Sequence, residues 1–134
     1  MPLRIVRLGT PRAPHEGLRL GTVRRPPRGV PKSEFASRDF YDVWLPALSP
    51  SPELVTEALQ AAATGDERRW ARFVKRFRAE MKEPGAAHLL DLLAALSHSA
   101  QLSLGCYCTD EAHCHRAVLR ALLQERGAQI VDID

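Results

Sequence analysis

The chain has 134 residues, the length of one domain that can bury its own core without disulfide or metal staples. It has no signal-peptide pattern and no apolar stretch near the roughly 20 residues of a spanning helix, so we exclude an integral membrane protein and expect a soluble cytoplasmic one. The net charge of +3 is unevenly distributed, because residues 1–33 carry +7 and the remaining residues carry −4.

The basic N-terminal third contains seven arginines and Lys32 against Glu16 alone. A surface of that charge attracts phosphate or another anion, and nucleic acid is a partner of that kind. Arginines spread over strands and loops for solubility produce the same composition. The charge therefore leaves open whether this third is a nucleic-acid or protein interaction module.

Two segments of this third, residues 3–8 and 18–23, alternate aliphatic residues with arginine. The alternation predicts two strands that lie in one sheet and bury one face. Prolines and glycines make residues 9–17 a loop, and three prolines in residues 24–31 predict a stiff basic loop. The aromatic group that follows, expected to plug the core rather than line a pocket, comprises Phe40, Tyr41 and Trp44.

Three helices are predicted in the middle of the chain. The first begins at Pro52, carries Leu59 in its apolar stripe and ends near Gly65. The second begins at Asp66, and its aromatic stripe is assigned to core packing. The third begins at Pro84 and is so rich in leucine that we expect it to be well buried.

The last third of the chain has the pattern of a strand, a helix and a strand. Residues 102–106 form a short inner strand, a helix spans about 111–126 with Thr109 or Asp110 as its cap, and residues 128–133 form the closing strand. This order is a βαβ unit, which places parallel strands in the sheet. The whole chain is therefore predicted to be one α/β domain, with a small, mostly parallel or mixed sheet flanked by helices.

Residues 105–116 concentrate all three cysteines, two of the five histidines and one arginine. They lie where the inner strand turns into the last helix, and α/β proteins tend to bind ligands at such turns. Free backbone N–H groups and the positive end of the helix dipole favour an anion there and lower the pKa of a nearby thiol. In a reducing cytosol, clustered thiols serve metal, redox or catalytic roles more often than structural ones.

One interpretation of this cluster is thiol chemistry on a small anionic or nucleotide-type ligand. Cys106 or Cys114 is then the nucleophile. His115 or His113 acts as base or acid, and Arg116 clamps the anion through paired donors.

The basic loop adds two candidate ligand-binding residues, Arg28 and Gly29, which we expect to reach the same pocket. The spacing of the cluster excludes two familiar arrangements. Neither the Cys-x5-Arg loop of tyrosine phosphatases nor a Cys-x-x-Cys redox pair is present.

A second interpretation is a structural or sensing metal site. The thiols of Cys106, Cys108 and Cys114 with the imidazole of His113 or His115 form a ligand set that suits tetrahedral zinc or iron. A third interpretation makes the cysteines small apolar fillers beneath the helix N-terminus. The residues alone leave the three interpretations open.

Three blocks of the chain carry a family resemblance: Arg7-Leu8-Gly9-Thr10-Pro11-Arg12 with 17–19 and 27–30, Trp44-Leu45 with Pro50-Ser51-Pro52-Glu53-Leu54, and 104–119. On these blocks the chain, over residues 1–134, resembles the YeaO-like family of small bacterial proteins. The last block is similar to the branch with a cysteine after an inner strand and a Cys-His-Arg triplet eight residues on, here Cys106 and 114–116. The resemblance implies a compact α/β domain with a candidate site, and it names no reaction.

Overall fold

All strands of the sheet run parallel in the computed structural model, which describes residues 2–131. The strands within that range are β1 (Leu3–Arg7), β2 (Leu18–Gly21), β3 (Val43–Trp44), β4 (Leu102–Cys106) and β5 (Ile130–Val131). The helices are α1 (Pro52–Thr64), α2 (Glu67–Glu80), α3 (Pro84–Leu96) and α4 (His115–Glu125). The predicted α/β domain is therefore confirmed, with a parallel sheet.

The strand order is β3-β2-β4-β1-β5, so β4 lies at the centre of the sheet. Leu104 of β4 pairs in register with Ile5 on one side and Leu20 on the other. The two predicted N-terminal strands thus share one sheet, with β4 between them. Because parallel strands end at the same edge, the segments that follow β1, β2 and β4 all meet beside Cys106.

The three middle helices begin where the sequence predicts. Pro52 and Pro84 occupy first positions of α1 and α3, where a missing N–H costs nothing. Asp66 caps α2, because its side chain accepts hydrogen bonds from the backbone N–H groups of Arg68 and Arg69. None of the helices in residues 2–131 combines the length and the apolar composition of a membrane span.

The fourth helix differs from its prediction. It begins at His115, and residues 111–113 form a separate 3-10 turn capped by Asp110. Cys114 lies between the two in an extended conformation, with φ −129° and ψ 152°. The Asp110 side chain accepts a hydrogen bond from the N–H of Ala112, so Asp110 caps the 3-10 turn. The N-cap of α4 is therefore Cys114.

The two ends of the sheet also differ from the sequence pattern. Val43 and Trp44 form an edge strand that the pattern does not reveal, and Trp44 is 41% exposed rather than a core plug. Tyr41 is buried as expected. The closing strand is observed at Ile130–Val131, and residues 132–133 of that prediction lie outside the described residues.

The four helices cover the sheet face that carries the apolar side chains of β1, β2 and β4. Residues from all four helices and these strands form one buried cluster, whose largest members include Phe73, Phe77, Leu90, Leu104 and Leu119. Loops cover the opposite face of the sheet and pack closely against its backbone. A Cβ added to Gly21 would lie 2.4 Å from the ring of Tyr41.

A buried ion pair also lies in the loops around β2. Glu16 and Arg19 are 3% and 1% exposed, and the carboxylate accepts from Arg19 Nε at 2.7 Å and Nη2 at 2.9 Å. Glu16 also accepts from Ser103 of β4 at 2.9 Å. The remaining Arg19 nitrogen, Nη1, donates to the backbone oxygens of Thr10 and Asp39. The pair thereby joins both covering loops to the central strands.

Replacing Glu16 by Gln is expected to lower the free energy of unfolding by about 3 kcal/mol or more, because Arg19 then stays buried without its partner. Burial raises the pKa of Glu16, but the hydrogen bonds from Arg19, Ala13 and Ser103 outweigh it and hold that pKa below the ordinary 4.5. The carboxylate therefore stabilises the fold fully above pH 4.5 and loses this effect as the pH falls through the folded pKa.

Urea unfolding of wild type and Glu16→Gln at several pH values measures this difference. The exposed Glu34→Gln is the matched control, with an expected change within about 0.5 kcal/mol. A difference between wild type and Glu16→Gln that widens on acidification would contradict the ion-pair assignment.

Candidate functional site

The predicted site residues meet where β4 ends and α4 begins. Cys106 is the last residue of β4, Cys114 is the N-cap of α4, and His115 and Arg116 follow in its first turn. All four are buried, with the two cysteines 1% exposed. The structure thus brings together the four residues that the sequence nominates for chemistry.

The thiols form one compact group. Cys106 Sγ and Cys114 Sγ are 2.8 Å apart. Cys108 is half-buried and packs against the cluster that contains both of the other thiols. Aromatic and aliphatic side chains surround the thiols. Cys106 and Cys114 form one buried cluster with Leu8, Val23 and Tyr41.

The ring of His115 is fixed by the backbone that follows β2. Its Nε2 lies 2.6 Å from the carbonyl oxygen of Thr22 and 3.2 Å from the Thr22 hydroxyl. A carbonyl oxygen can only accept, so Nε2 carries the hydrogen and Nδ1 has a free lone pair in the neutral ring. Nδ1 is 3.7 Å from Cys114 Sγ, so His115 can accept the thiol proton.

Arg116 places a permanent positive charge under the thiols. Its Nη1 donates to the Val6 oxygen at 2.7 Å and its Nη2 to the Cys108 oxygen at 2.6 Å, while Nε is buried without a hydrogen-bond partner. Its side chain is buried, no carboxylate of residues 2–131 forms an ion pair with it, and it does not line the cavity over the thiols. Burial lowers the pKa of Arg116, but the charges of Cys106 and Cys114, and to a smaller extent Glu111, raise it above its ordinary value.

The pKa directions follow from this arrangement. The neighbouring thiols of Cys106 and Cys114 lower the pKa of Cys108 to about 3 against the effect of burial, and the charges of Arg116 and Arg7 lower it further. The neighbouring thiols of Cys108 and Cys114, together with burial, raise the pKa of Cys106. The hydrogen bond from Cys106, aided by His115, lowers the pKa of Cys114. Cys106 is therefore the protonated donor of a group that holds a thiolate at neutral pH.

A cavity of about 1090 Å³ opens over the thiols. Cys106, Cys108, Cys114 and His115 lie in its wall beside the basic loop, which contributes residues 24–28. The third side is the outer face of α1, which the sequence assigned to the core. Leu59 of that face is 60% exposed, because α2 covers only one side of α1.

The basic loop presents two charged side chains to this cavity. Arg25 and Arg28 are exposed and line it, and no hydrogen bond or ion pair between described residues involves either side chain. Arg24 instead donates to the backbone oxygens of Ser49 and Pro50. Gly29 does not line the cavity, and its φ of 72° lets the loop turn.

Two side chains from other parts of the chain donate hydrogen bonds to the backbone of the basic loop and of the residue before it. Trp44 Nε1 donates to the Val23 oxygen at 2.7 Å, and the Tyr107 hydroxyl donates to the Arg25 oxygen at 3.0 Å. The two prolines at 26–27 cannot donate, so these contacts replace the backbone hydrogen bonds that the loop lacks. The loop is thereby fixed relative to β4.

The other arginines of the basic third are used within the fold. Arg4 and Arg7 donate to backbone oxygens, Arg12 pairs with Asp39 and Asp42, and Arg19 pairs with Glu16. With Arg24, five of the seven arginines in residues 1–33 have partners of this kind. Only Arg12 and Arg19 are neutralised by carboxylates, and Arg25 and Arg28 are the two whose side chains have no partner among the described residues.

The structure brings only some of the predicted metal ligands within range of one common ion. The potential ligand atoms of Cys106, Cys114 and His115 lie within 4.8 Å of one another. His113 is outside that group, because its Nδ1 lies 3.0 Å from Asp110 and its Nε2 lies 3.4 Å from Glu67. Of the two histidines left open by the sequence, His115 is the one that faces the thiols.

Sequence reasoning did not find Thr22 or the α1 wall. The carbonyl oxygen of Thr22 orients His115, and a backbone group leaves no signal in residue type. The α1 wall has an apolar stripe like that of any packed helix, so its exposure depends on tertiary packing that a single sequence does not show.

Comparison with known proteins identifies a family. The model DUF488-N3a, described as the active DUF488-N3 subclade, matches residues 3–127. No curated protein and no solved structure matches the chain. The match includes both the basic loop and the thiol group.

Replacing Arg116 by Met is expected to raise the pH midpoint of thiol alkylation by about 1 unit or more, because a nearby opposite charge lowers a thiol pKa by about 1–3 units. Iodoacetamide labelling at graded pH, followed by mass spectrometry, measures that midpoint. Arg116→Lys retains the charge and is expected to shift it less. An unchanged midpoint in Arg116→Met, with Arg76→Met as the exposed control, would contradict this role of Arg116.

Proposed function

We propose that this chain, which belongs to the DUF488 or YeaO-like family, is an enzyme that binds a small anionic ligand of nucleotide type and acts on it with a thiolate. The observation that carries the proposal is the pairing of Cys114 with a histidine of fixed tautomer. His115 Nδ1 lies 3.7 Å from the sulfur, and Thr22 holds the other ring nitrogen at 2.6 Å. A nucleophile, a base and a group that orients the base form the arrangement used in nucleophilic catalysis.

The cavity supports a ligand with one charged and one apolar part. Arg25 and Arg28 have free guanidinium groups, which bind phosphate or carboxylate through paired donors. Val55 and Leu59 form an apolar wall opposite, and Phe40 adds an aromatic ring. A volume of about 1090 Å³ accommodates a ligand the size of a nucleotide.

The chemical step follows from the positions of the side chains. His115 Nδ1 takes the proton of Cys114, and the resulting thiolate attacks an electrophilic atom of the ligand held above it. Arg116 and the free N–H groups at the start of α4 stabilise negative charge at that point. Cys106 donates a hydrogen bond to the thiolate and keeps it in place.

Two further facts agree with an enzyme. The matching family model is described as the active subclade. The pairing of Arg12 and Arg19 with carboxylates also reduces the positive charge that a nucleic-acid interaction module would use. The small ligand therefore remains the partner that the charges favour.

A metal centre is the second candidate, and the orientation of His115 favours it. Metal-bound histidines usually donate their other ring N–H to a carboxylate or backbone carbonyl, as His115 does to Thr22. Cys106, Cys114 and His115 supply three buried ligands within 4.8 Å of one another, and Cys108, which lines the same cavity, would have to move closer to supply a fourth. Thiolate and imidazole together suit tetrahedral zinc or iron.

Replacing both Arg25 and Arg28 by Gln is expected to weaken the binding of inorganic pyrophosphate and of AMP about a hundredfold or more, since each lost charge-assisted hydrogen bond costs about 1.5–3 kcal/mol. Isothermal titration calorimetry measures both affinities. The double variant Arg68→Gln/Arg72→Gln removes the same charge from the exposed side of α2. Equal weakening in the two double variants would mean that net charge, not this loop, governs binding.

The metal candidate predicts a difference between two histidine variants. If zinc or iron is bound, His115→Gln is expected to lose most of it and His113→Gln to retain it, because only His115 faces the thiols. Elemental analysis of protein purified with protected thiols and no added metal measures the content. Wild-type protein without stoichiometric zinc or iron would exclude the metal centre and leave the thiolate site as the function.

A further inference from the structure

Two sulfur atoms of the site lie closer together than non-bonded atoms of their size pack. Cys106 Sγ and Cys114 Sγ are 2.8 Å apart. Carbon atoms, which are smaller, make their best contacts at about 3.5–4.0 Å. A disulfide bond is about 2.0 Å long, so the sulfurs need to approach by less than about 1 Å to form one.

The backbones that carry the two sulfurs are anchored independently. The Cys106 oxygen accepts from the N–H of Leu8 at 2.8 Å, within the central sheet. The Cys114 N–H donates to Glu111 at 3.1 Å, and its oxygen accepts from Ala117 at 3.0 Å at the start of α4. Neither set of hydrogen bonds involves a thiol, so both can persist when the sulfurs form a bond.

The third thiol supplies a route for an oxidant. Cys108 is half-buried, whereas Cys106 and Cys114 are 1% exposed, and all three line the cavity. Cys108 also packs against the cluster that contains both buried thiols. An oxidant that enters the cavity therefore meets Cys108 first, and the product can pass to either neighbour.

We propose that Cys106 and Cys114 form a reversible disulfide, and that Cys108 is the thiol that reacts first with the oxidant. Formation of the bond does not depend on the activity proposed above. Its consequence, the removal of Cys114 as nucleophile, rests on that proposed function. The site is then a reversible redox modification site as well as a thiolate centre.

A low-molecular-weight disulfide such as oxidised glutathione is the oxidant in this scheme. The Cys108 thiolate attacks one sulfur of oxidised glutathione, the S–S bond breaks, and one glutathione leaves as thiolate. His115 Nδ1 takes the proton of Cys114, and the Cys114 thiolate attacks the Cys108 sulfur and expels the second glutathione as thiolate, which receives that proton from His115. Cys106 gives its proton to a released glutathione and attacks the Cys114 sulfur, which frees Cys108 as thiolate.

The electrons and charges balance in this sequence. Cys106 and Cys114 together lose two electrons and two protons, and one oxidised glutathione becomes two reduced ones. Cys108 ends as the thiolate it was at the start. It therefore continues to balance the charge of Arg116 after the other two thiols have become neutral sulfurs.

Disulfide mapping of the full chain tests the proposal. Wild type and Cys108→Ser are incubated in glutathione buffers of graded reduced-to-oxidised ratio, the remaining thiols are blocked with iodoacetamide, and the protein is digested without reduction. Chymotrypsin cuts after Tyr107 and glutamyl endopeptidase cuts after Glu111, so each cysteine lies on a separate peptide. Mass spectrometry then identifies which peptides are linked.

We expect the Cys106 and Cys114 peptides to be linked in both proteins, with Cys108→Ser reaching the same final extent about tenfold or more slowly. A linkage to Cys108 at equilibrium, or glutathione adducts without an internal disulfide, would overturn the pairing. Equal rates in the two proteins would overturn the role of Cys108. Failure to bind pyrophosphate or AMP would count against the proposed function alone, because the mapping requires no ligand.

Discussion

The guanidinium of Arg116 is the group on which the arrangement of the site depends. From the first turn of α4 it binds the Val6 oxygen near the end of β1 and the Cys108 oxygen in the loop after β4. One side chain thereby joins α4, the carboxyl end of β1 and the loop that follows β4. Because this cation is buried and no carboxylate of residues 2–131 forms an ion pair with it, it stabilises a negative charge on the thiols beside it.

The position of the site follows from the sheet. With β4 at the centre and every strand parallel, the segments after β1, β2 and β4 converge at one edge, which brings Thr22, the basic loop and Cys106 together from distant parts of the chain. The Glu16–Arg19 pair holds the loops of the opposite face against the same strands. The site thus rests on structure that is fixed on both faces of the sheet.

Local signals in the sequence were sufficient for the elements that have clear caps and periodicity. Pro52, Asp66 and Pro84 mark helix starts that the structure confirms, and the cysteine-rich turn was located correctly at the carboxyl end of β4. Other features depend on contacts between distant residues. The short edge strand at 43–44, the late start of α4 and the exposed face of α1 result from pairing, capping competition and incomplete cover, none of which residue type alone encodes.

The position of the basic loop depends on hydrogen-bond donors from distant parts of the chain. Trp44 and Tyr107 lie about 20 and about 80 residues from the carbonyls that they bind, and those carbonyls determine where Arg25 projects. Transplanting residues 23–28 alone into another scaffold would move the arginines without the frame that aims them. In relatives of this protein, the identity of these two aromatic residues and the sequence of the loop should therefore vary together.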